Sequence, residues 1–423
     1  MEFDLSQDID RLRRHILGCV GSCFGAAGGP FVAPYLAPGS TSYQECVWDW
    51  DAWLADVSLR QALADGGGAA LRQQVVDCGR GSLINLLAQA DARGWVPICI
   101  YSGQDWWRTQ GDATNMAKPV LCQHAAFLVA QDGDTAWLEP WISRLEAFVA
   151  RWSSVFLHAD SGLYVWADDA GIGVDNDPCT FFRPPGSSAS IFLNAMMVRE
   201  LQALAWLLDR LGRPGGDRQR AEAERLSAAI RRHCWDEWTG FYYSCDVNLL
   251  PVIPGPGRHS GAPRNWPCLI QRIQVWSGFL ALWAGIATPE QASRIASHWR
   301  DPRTFGAAFG VRTLSRLEAM YELRASGNPS CWLGPVWGVS NYLVFRGLLR
   351  YGLVDDARTL AERTIRLYAG DLERTGTLHE YYNPDSGLGI INPGFQNWNH
   401  LVLNMAAWLE GREAVTEWEP PSG

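Results

Sequence analysis

The sequence predicts an all-α chain, and three observations carry that reading: twelve stretches with helical apolar spacing, short connections between several of them, and a recurring turn whose spacing matches a helical hairpin. Apolar residues at i, i+3, i+4 and i+7 recur in residues 4–22, 50–65, 80–94, 115–132, 134–151, 188–212, 217–233, 270–286, 288–299, 334–351, 354–371 and 395–410. That period places one face of a helix against a core.

Taken in order, residues 4–22 spread charges along a helical pattern and hold no uninterrupted apolar run, so they read as a helix rather than a leader. No later stretch approaches a membrane span in this reading, and a cytoplasmic protein is expected. The second stretch, 50–65, opens on Asp51, an acid that the helix dipole favours in a first turn. Residues 188–212 close on Gly212 and Pro214, which stop a helix. Pro289-Glu290 opens 288–299 with proline at its first position. Gly352 separates 334–351 from 354–371, and a link that short makes the two antiparallel neighbours. The remaining stretches rest on periodicity alone.

Between helices a turn recurs: Asp160-Ser161-Gly162-Leu163-Tyr164, Thr239-Gly240-Phe241-Tyr242 and Asp385-Ser386-Gly387-Leu388, each with glycine at the tight position. The three glycines stand 78 and then 147 residues apart, close to one and two units of about 70 to 75 residues, the size of a long helical hairpin with its loop. Six such units fill 423 residues, so the expected architecture is an (α/α)6 barrel, with long loops gathered at one end to make a site. An open solenoid is the rival, but its repeats are shorter and lack long aromatic loops. No linker or compositional break divides the chain, and residues 1–423 are expected to form a single domain.

Composition narrows the function. A chain with 47% hydrophobic and 19% charged residues buries a large core. A net charge of −9 argues against nucleic acid, whose backbone needs a basic face, and favours a neutral or polar small molecule. The eleven cysteines are scattered without paired spacing, so neither a disulfide framework nor a zinc site is expected, and no metal or cofactor is predicted. His124, His379 and His400 read as ordinary hydrogen-bonded histidines. The most unusual count is 22 tryptophans, many in the segments between helices: Trp48 to Trp53, Asp105 to Trp107, Cys331 to Trp337 and Phe395 to Asn399. Flat aromatic faces with one polar edge stack well on the C–H faces of sugar rings.

Hydrolysis of a glycosidic bond needs one protonated carboxyl and one carboxylate on opposite sides of the ring. Three loops combine acids with aromatics: Trp48-Asp49-Trp50-Asp51-Ala52-Trp53, the run from Trp166 to Pro178 around Asp175-Asn176-Asp177, and His379-Glu380-Tyr381-Tyr382-Asn383-Pro384. Read locally, Asp175 suits an Asx turn, Glu380 a surface carboxylate and Asp51 a helix N-terminal charge, so each acid has a structural alternative.

These runs resemble glycoside hydrolase family 63, in its bacterial α-glucosidase and mannosylglycerate/glucosylglycerate hydrolase branch. Trp48, Trp50, Asp51 and Trp53 match one motif; Asn115 to Cys122 a second, with Lys118 before its proline; Gly173 to Asn176 a third. Trp332 to Trp337, Glu380 to Pro384 and Phe395 to Trp398 follow in family order. The resemblance implies the (α/α)6 barrel, with Asp175 as acid and Glu380 as base; Asp177, two residues on, is the alternative acid, and a barrel without appended β domains leaves a deep pocket, so an inverting, exo-acting α-glycosidase for a small glucoside or disaccharide is expected. Inversion predicts carboxyls about 6.5 to 9.5 Å apart. Trp48, Trp50, Asp51, Trp53, Lys118, Trp332, Trp337, Tyr381, Gln396 and Trp398 are the expected sugar binders.

Leu333 stands where the family usually has arginine, so the missing cation would come from Arg183 or Arg108, or the sugar would differ. A glucosylglycerate or mannosylglycerate hydrolase is the nearest alternative, with trehalase a further relative. A sugar epimerase or a catalytically silent glycan-binding protein on the same barrel are the readings from other classes.

Overall fold

The computed structural model describes residues 4–104, 114–181, 183–249, 266–324 and 329–421, and it is predominantly helical. In chain order the helices are α1 (Leu5–Cys19), α2 (Asp49–Ala64), α3 (Ala69–Ala88), α4 (Leu121–Asp132), α5 (Ile142–Arg151) and α6 (Ile191–Arg210). They continue with α7 (Gly216–His233), α8 (Leu280–Trp283), α9 (Pro289–Arg300), α10 (Gly338–Arg350), α11 (Val354–Thr375) and α12 (Val402–Leu409). Every one overlaps a stretch marked by apolar spacing.

The differences have local causes. Residues 115–120 form a turn before α4, because Pro119 cannot donate to a helix and the Lys118 carbonyl accepts from Val120 N–H at 2.7 Å. In the stretch 270–286 only α8 and a 3₁₀ segment at Trp276–Phe279 are helical. Its start, Leu269–Gln271, pairs instead with Ser244–Asp246. Conversely α3 begins at Ala69, well before residue 80, since its first turns are exposed and carry little apolar signal.

Six helices pack side to side and the sequence of contacts closes: α2 on α4, α4 on α6, α6 on α8, α8 on α10, α10 on α12, and α12 on α2. Others flank them, α3 against α2, α7 against α6 and α11 against α10. The inner position explains why α2 and α6 are buried nearly all round rather than on one stripe, polar residues such as Asp49, Asp56 and Gln61 of α2 and Arg199 and Glu200 of α6 included. α6 also corrects the expectation that no stretch approaches a membrane span. Its 20 residues have the length and hydropathy of one, yet 89% of that window is buried within the fold.

The recurring glycine turn is a short β-ribbon. Gly162, with φ of 70°, joins Leu157–His158 to Leu163–Tyr164, and Gly240, with φ of 69°, joins Trp235–Asp236 to Phe241–Tyr242. Other ribbons lead into the inner helices: Cys46–Trp48 pairs with Cys99–Tyr101 just before α2, and Val336–Trp337 pairs with Tyr381–Tyr382 just before α10. Trp48 and Trp337 therefore occupy the N-caps of α2 and α10 in extended conformation. The N-terminal ends of these helices share one end of the molecule with the long loops.

Candidate active site

At that end lies a cavity of about 390 Å3. Its wall includes Asp175 and Glu380, the carboxylate Asp51, the cation Lys118, and the aromatics Tyr43, Trp48, Trp50, Trp337, Phe395 and Trp398.

Asp175 is presented by a four-residue turn from Val174 to Asp177, closed by Asp177 N–H on the Val174 carbonyl at 3.0 Å. The third position, Asn176, has φ of 53°, a left-handed conformation that asparagine tolerates better than most residues. Its amide donates to the Ser330 carbonyl at 2.9 Å and accepts from Trp332 N–H at 3.0 Å, fixing the Asp175 loop to the loop that precedes α10. Gly173 is needed for a different reason: a Cβ there would stand 3.2 Å from both Lys118 and the Trp50 ring, besides straining a φ of +85°. Asp177 is not among the residues lining this cavity. It accepts from Cys179 N–H at 3.0 Å and lies against Val174, Trp276 and Trp332, behind the wall that Asp175 faces.

Glu380 comes from a hairpin in which residues 380–383 run beside 388–391. Glu380 N–H donates to Ile391 O at 3.1 Å, Ile390 N–H to Tyr381 O at 3.0 Å, and Asn383 N–H to Leu388 O at 2.9 Å. Only 5% exposed, the Glu380 carboxyl is raised to about 7, first by burial and then by the charge of Asp175, against the lowering effect of a hydrogen bond from Asn392. The influence of Asp175 on Glu380 is the electrostatic sign that the two face the same space.

Asp51 and Lys118 are built into the floor. Lys118, 1% exposed, places Nζ 2.7 Å from Asp49 and donates its backbone N–H to the same carboxylate at 2.6 Å. It also sits 5.6 Å over the Trp50 ring. Asp51, in the first turn of α2, accepts from Asn397 at 2.5 Å. Burial raises it to about 8 despite the lowering charge of Lys118, with Asp49 and Glu380 pushing the same way as burial. Asp51 thus stands in the first turn of a helix and on the cavity wall at once.

Four expected binders lie elsewhere. Trp53 is fully buried one turn into α2 and meets Trp283 with ring centroids 6.3 Å apart. Trp332 and Tyr381 form a second layer, stacked on the two sides of Trp337 at 4.1 and 4.7 Å, with Trp276 continuing the column at 5.8 Å from Trp332. Gln396 points away, donating to Ser22 at 2.6 Å and accepting from the Cys23 thiol. The replacement cation does not come from Arg183, which pairs with Asp246 outside the cavity wall; Arg108, like the tryptophans at 106 and 107, lies outside the described residues. Leu333 packs with the apolar cluster of Cys179, Val275 and Leu314. Of the three histidines, His124 and His379 bond Asp56 and Asp371, whereas both ring nitrogens of buried His400 lack a partner among the described residues.

Sequence reasoning missed Tyr43, whose phenol is pushed up by burial and then by the charges of Glu380, Asp51, Tyr101 and Asp175 that surround it. It stands alone in the loop before the first tryptophan motif, and nothing local marks it. Asn392 and Asn397 were missed too. Both have positive φ, 48° and 32°, and asparagines followed by proline or set between aromatics are the signal that was available.

The sequence profile of the mannosylglycerate hydrolase MGH1-like glycoside hydrolase domain matches residues 46–399. The chain belongs to this family. The resemblance to glycoside hydrolase family 63 is thereby established. Mannosylglycerate hydrolase MGH1 of Selaginella moellendorffii is 34% identical over 136 residues, which are 31% of this chain and 24% of that protein. A mannosylglycerate hydrolase of Rubrobacter radiotolerans is 25% identical over 224 residues, 52% of this chain and 44% of that protein. These alignments thus span less than half the length of the curated relatives. The fold is shared more widely: the crystal structure of the family 63 mannosylglycerate hydrolase from Thermus thermophilus, in complex with Tris and D-glycerate, superposes with a TM-score of 0.68 at 18% identity. That superposition covers 95% of this chain and 99% of that one.

Proposed function

We propose that residues 1–423 form one catalytic (α/α)6 barrel that removes a single sugar from a short α-linked glycoside with inversion, Asp175 protonating the leaving oxygen and Glu380 activating water. The observation that carries this reading is the meeting of Asp175 and Glu380, from loops far apart in the chain, on one aromatic-walled cavity. A space of about 390 Å3 suits a disaccharide-sized ligand rather than a polymer. Glu380 has one oxygen taken by Asn392 and none of the described residues bonded to Oε1, so that oxygen is available to a water. Trp48, Trp50 and Trp398 give apolar surface to the sugar and Trp337, stacked on both faces, an edge, while Asp51 and Lys118 address its hydroxyls.

Turnover of kojibiose, nigerose, trehalose, glucosylglycerate and mannosylglycerate, with the anomer of the released sugar followed by NMR, tests the proposal. Initial release of the inverted anomer, lost in Asp175→Asn, is expected; release of the retained anomer overturns the mechanism.

A second reading, hydrolysis of mannosylglycerate or glucosylglycerate, is favoured by what the relatives are called. Glycerate carries a carboxylate that calls for a cation. Lys118 is the cation among the described lining residues, and Asp49 already holds it. The ratio of kcat/KM for mannosylglycerate to that for a neutral disaccharide decides between the two.

A further inference from the structure

We infer that Asn392 is a positioning residue for the base, and that it ties Glu380 to the loop carrying Tyr43. The inference rests on Glu380 being the base. Asn392 follows residues 388–391, the return arm of the Glu380 hairpin, and has φ of 48°. This kink is what returns its side chain to the carboxylate it has just passed. Its Nδ2 donates to Glu380 Oε2, and its Oδ1 accepts from the Ser42 hydroxyl at 3.1 Å. A carboxylate accepts and does not donate, so it selects the amide orientation that presents NH2, and the carbonyl is left to face Ser42.

Three consequences follow from that geometry. The amide bond favours the ionised form of Glu380, opposing the burial and the Asp175 charge that favour the protonated form. By occupying Oε2 alone it fixes which oxygen meets the water. Through Ser42 it joins the base to the turn in which Tyr43 N–H donates to Ser40 O at 3.1 Å, and Tyr43 in turn packs edge-on to Phe395 at 6.0 Å. Tyr43 and Phe395 are both cavity residues. The wall of the sugar pocket and the base are therefore held by one asparagine side chain.

Asn392→Gly removes the amide while keeping the left-handed backbone, which glycine accepts without strain. Asn392→Asp keeps the shape and replaces the donor with a like charge. The experiment is the pH profile of kcat/KM for α-D-mannopyranosyl fluoride and α-D-glucopyranosyl fluoride, whose leaving group makes little demand on the acid. The acidic limb is expected to move up by about one pH unit in Asn392→Gly and further in Asn392→Asp, while circular dichroism stays unchanged. Acidic limbs superposable on that of the unmodified protein in both variants overturn the inference. If the unmodified protein hydrolyses neither fluoride nor any member of the glycoside panel, the functional reading fails separately. Carbon-13 titration of the Glu380 carboxyl, identified by its absence in Glu380→Gln, then decides: the same upward displacement upholds the Asn392 bond, and an identical titration refutes it.

Discussion

Two buried glutamates, one at each end of the molecule, meet opposite fates. Glu380 lines the cavity at the end where α2 and α10 begin, and its carboxyl is raised to about 7. Glu417 is buried at the other end, where the segment 415–419 crosses the closed set of helices: Val415 N–H donates to Gln61 near the end of α2 at 2.8 Å. Burial pushes Glu417 up as well, yet the charges of Arg346 and Arg199 and hydrogen bonds from Tyr342 at 2.7 Å and Trp283 at 3.0 Å hold it at about 2. Arg346 Nε stands 3.0 Å from it. Burial acts on both, and the supply of partners decides the outcome. Glu417 is surrounded by cations and donors, whereas Glu380 has the one amide of Asn392.

Removing either Asp175 or Glu380 should end turnover and spare the fold. Asp175→Asn and Glu380→Gln are each expected to lower kcat by about a hundredfold to ten-thousandfold with little change in Tm, measured on whichever glycoside of the panel is hydrolysed. Loss of folding in both would erase the contrast. Glu417→Gln should do the reverse, destabilising the protein by about 3 to 5 kcal/mol in urea titration, because Arg199 and Arg346 lose the buried carboxylate between them and Glu419, bonded to Arg346 at 2.5 Å, is the acid that remains beside them. A loss under about 1 kcal/mol would show that the partners matter less than their number suggests.

The two ends should also differ in pH dependence. Glu417 is depressed below its ordinary 4.5, so the folded state binds fewer protons there than the unfolded state. Its contribution is complete above about 4.5 and disappears as pH falls towards 2. Glu380 is raised, so the folded state binds more protons, and stability declines as pH climbs from about 4.5 through 7. Asp51, raised to about 8, acts in the same sense over a wider range. Asp51→Asn, which retains an acceptor for Asn397, is therefore expected to raise stability by about 1 to 2 kcal/mol at pH 8 while weakening sugar binding. Thermal melts of this variant across pH 5 to 9 check the sign, and a lowered Tm at pH 8 would contradict it.

Much of this was legible from residues alone, for identifiable reasons. Helices such as α6 and α9 carry both periodicity and punctuation, the latter with Pro289 at its start and a Thr288–Gln291 capping box in the structure. The ribbon turns announced themselves through glycines that must adopt positive φ. Motif order singled out Asp175, Glu380, Asp51, Lys118 and four of the wall tryptophans. The second layer was not legible. Trp332 and Trp337 lie five residues apart in one motif, yet the ribbon at Val336–Trp337 turns one ring into the cavity and leaves the other behind it. Trp53 follows Trp50 by three positions on α2, and a helix inside a ring is buried on every side, so helical spacing could not tell wall from core. Tyr43 meets Phe395, and Asn392 meets Ser42, across most of the length of the chain, contacts that no local pattern encodes.

The hydrogen bond from Asn397 to Asp51 spans 346 residues of sequence. It forms only when the last helical segments have come round to α2, so the acid on the cavity floor is completed by the same event that closes the ring. Loop closure over such a span is slow, and a chain arrested before residue 397 exposes the sides of α2 and α10 that should be covered. Partly folded forms would then lack a finished pocket, and refolding followed by intrinsic fluorescence and by recovery of sugar binding should show both arriving together in the final phase.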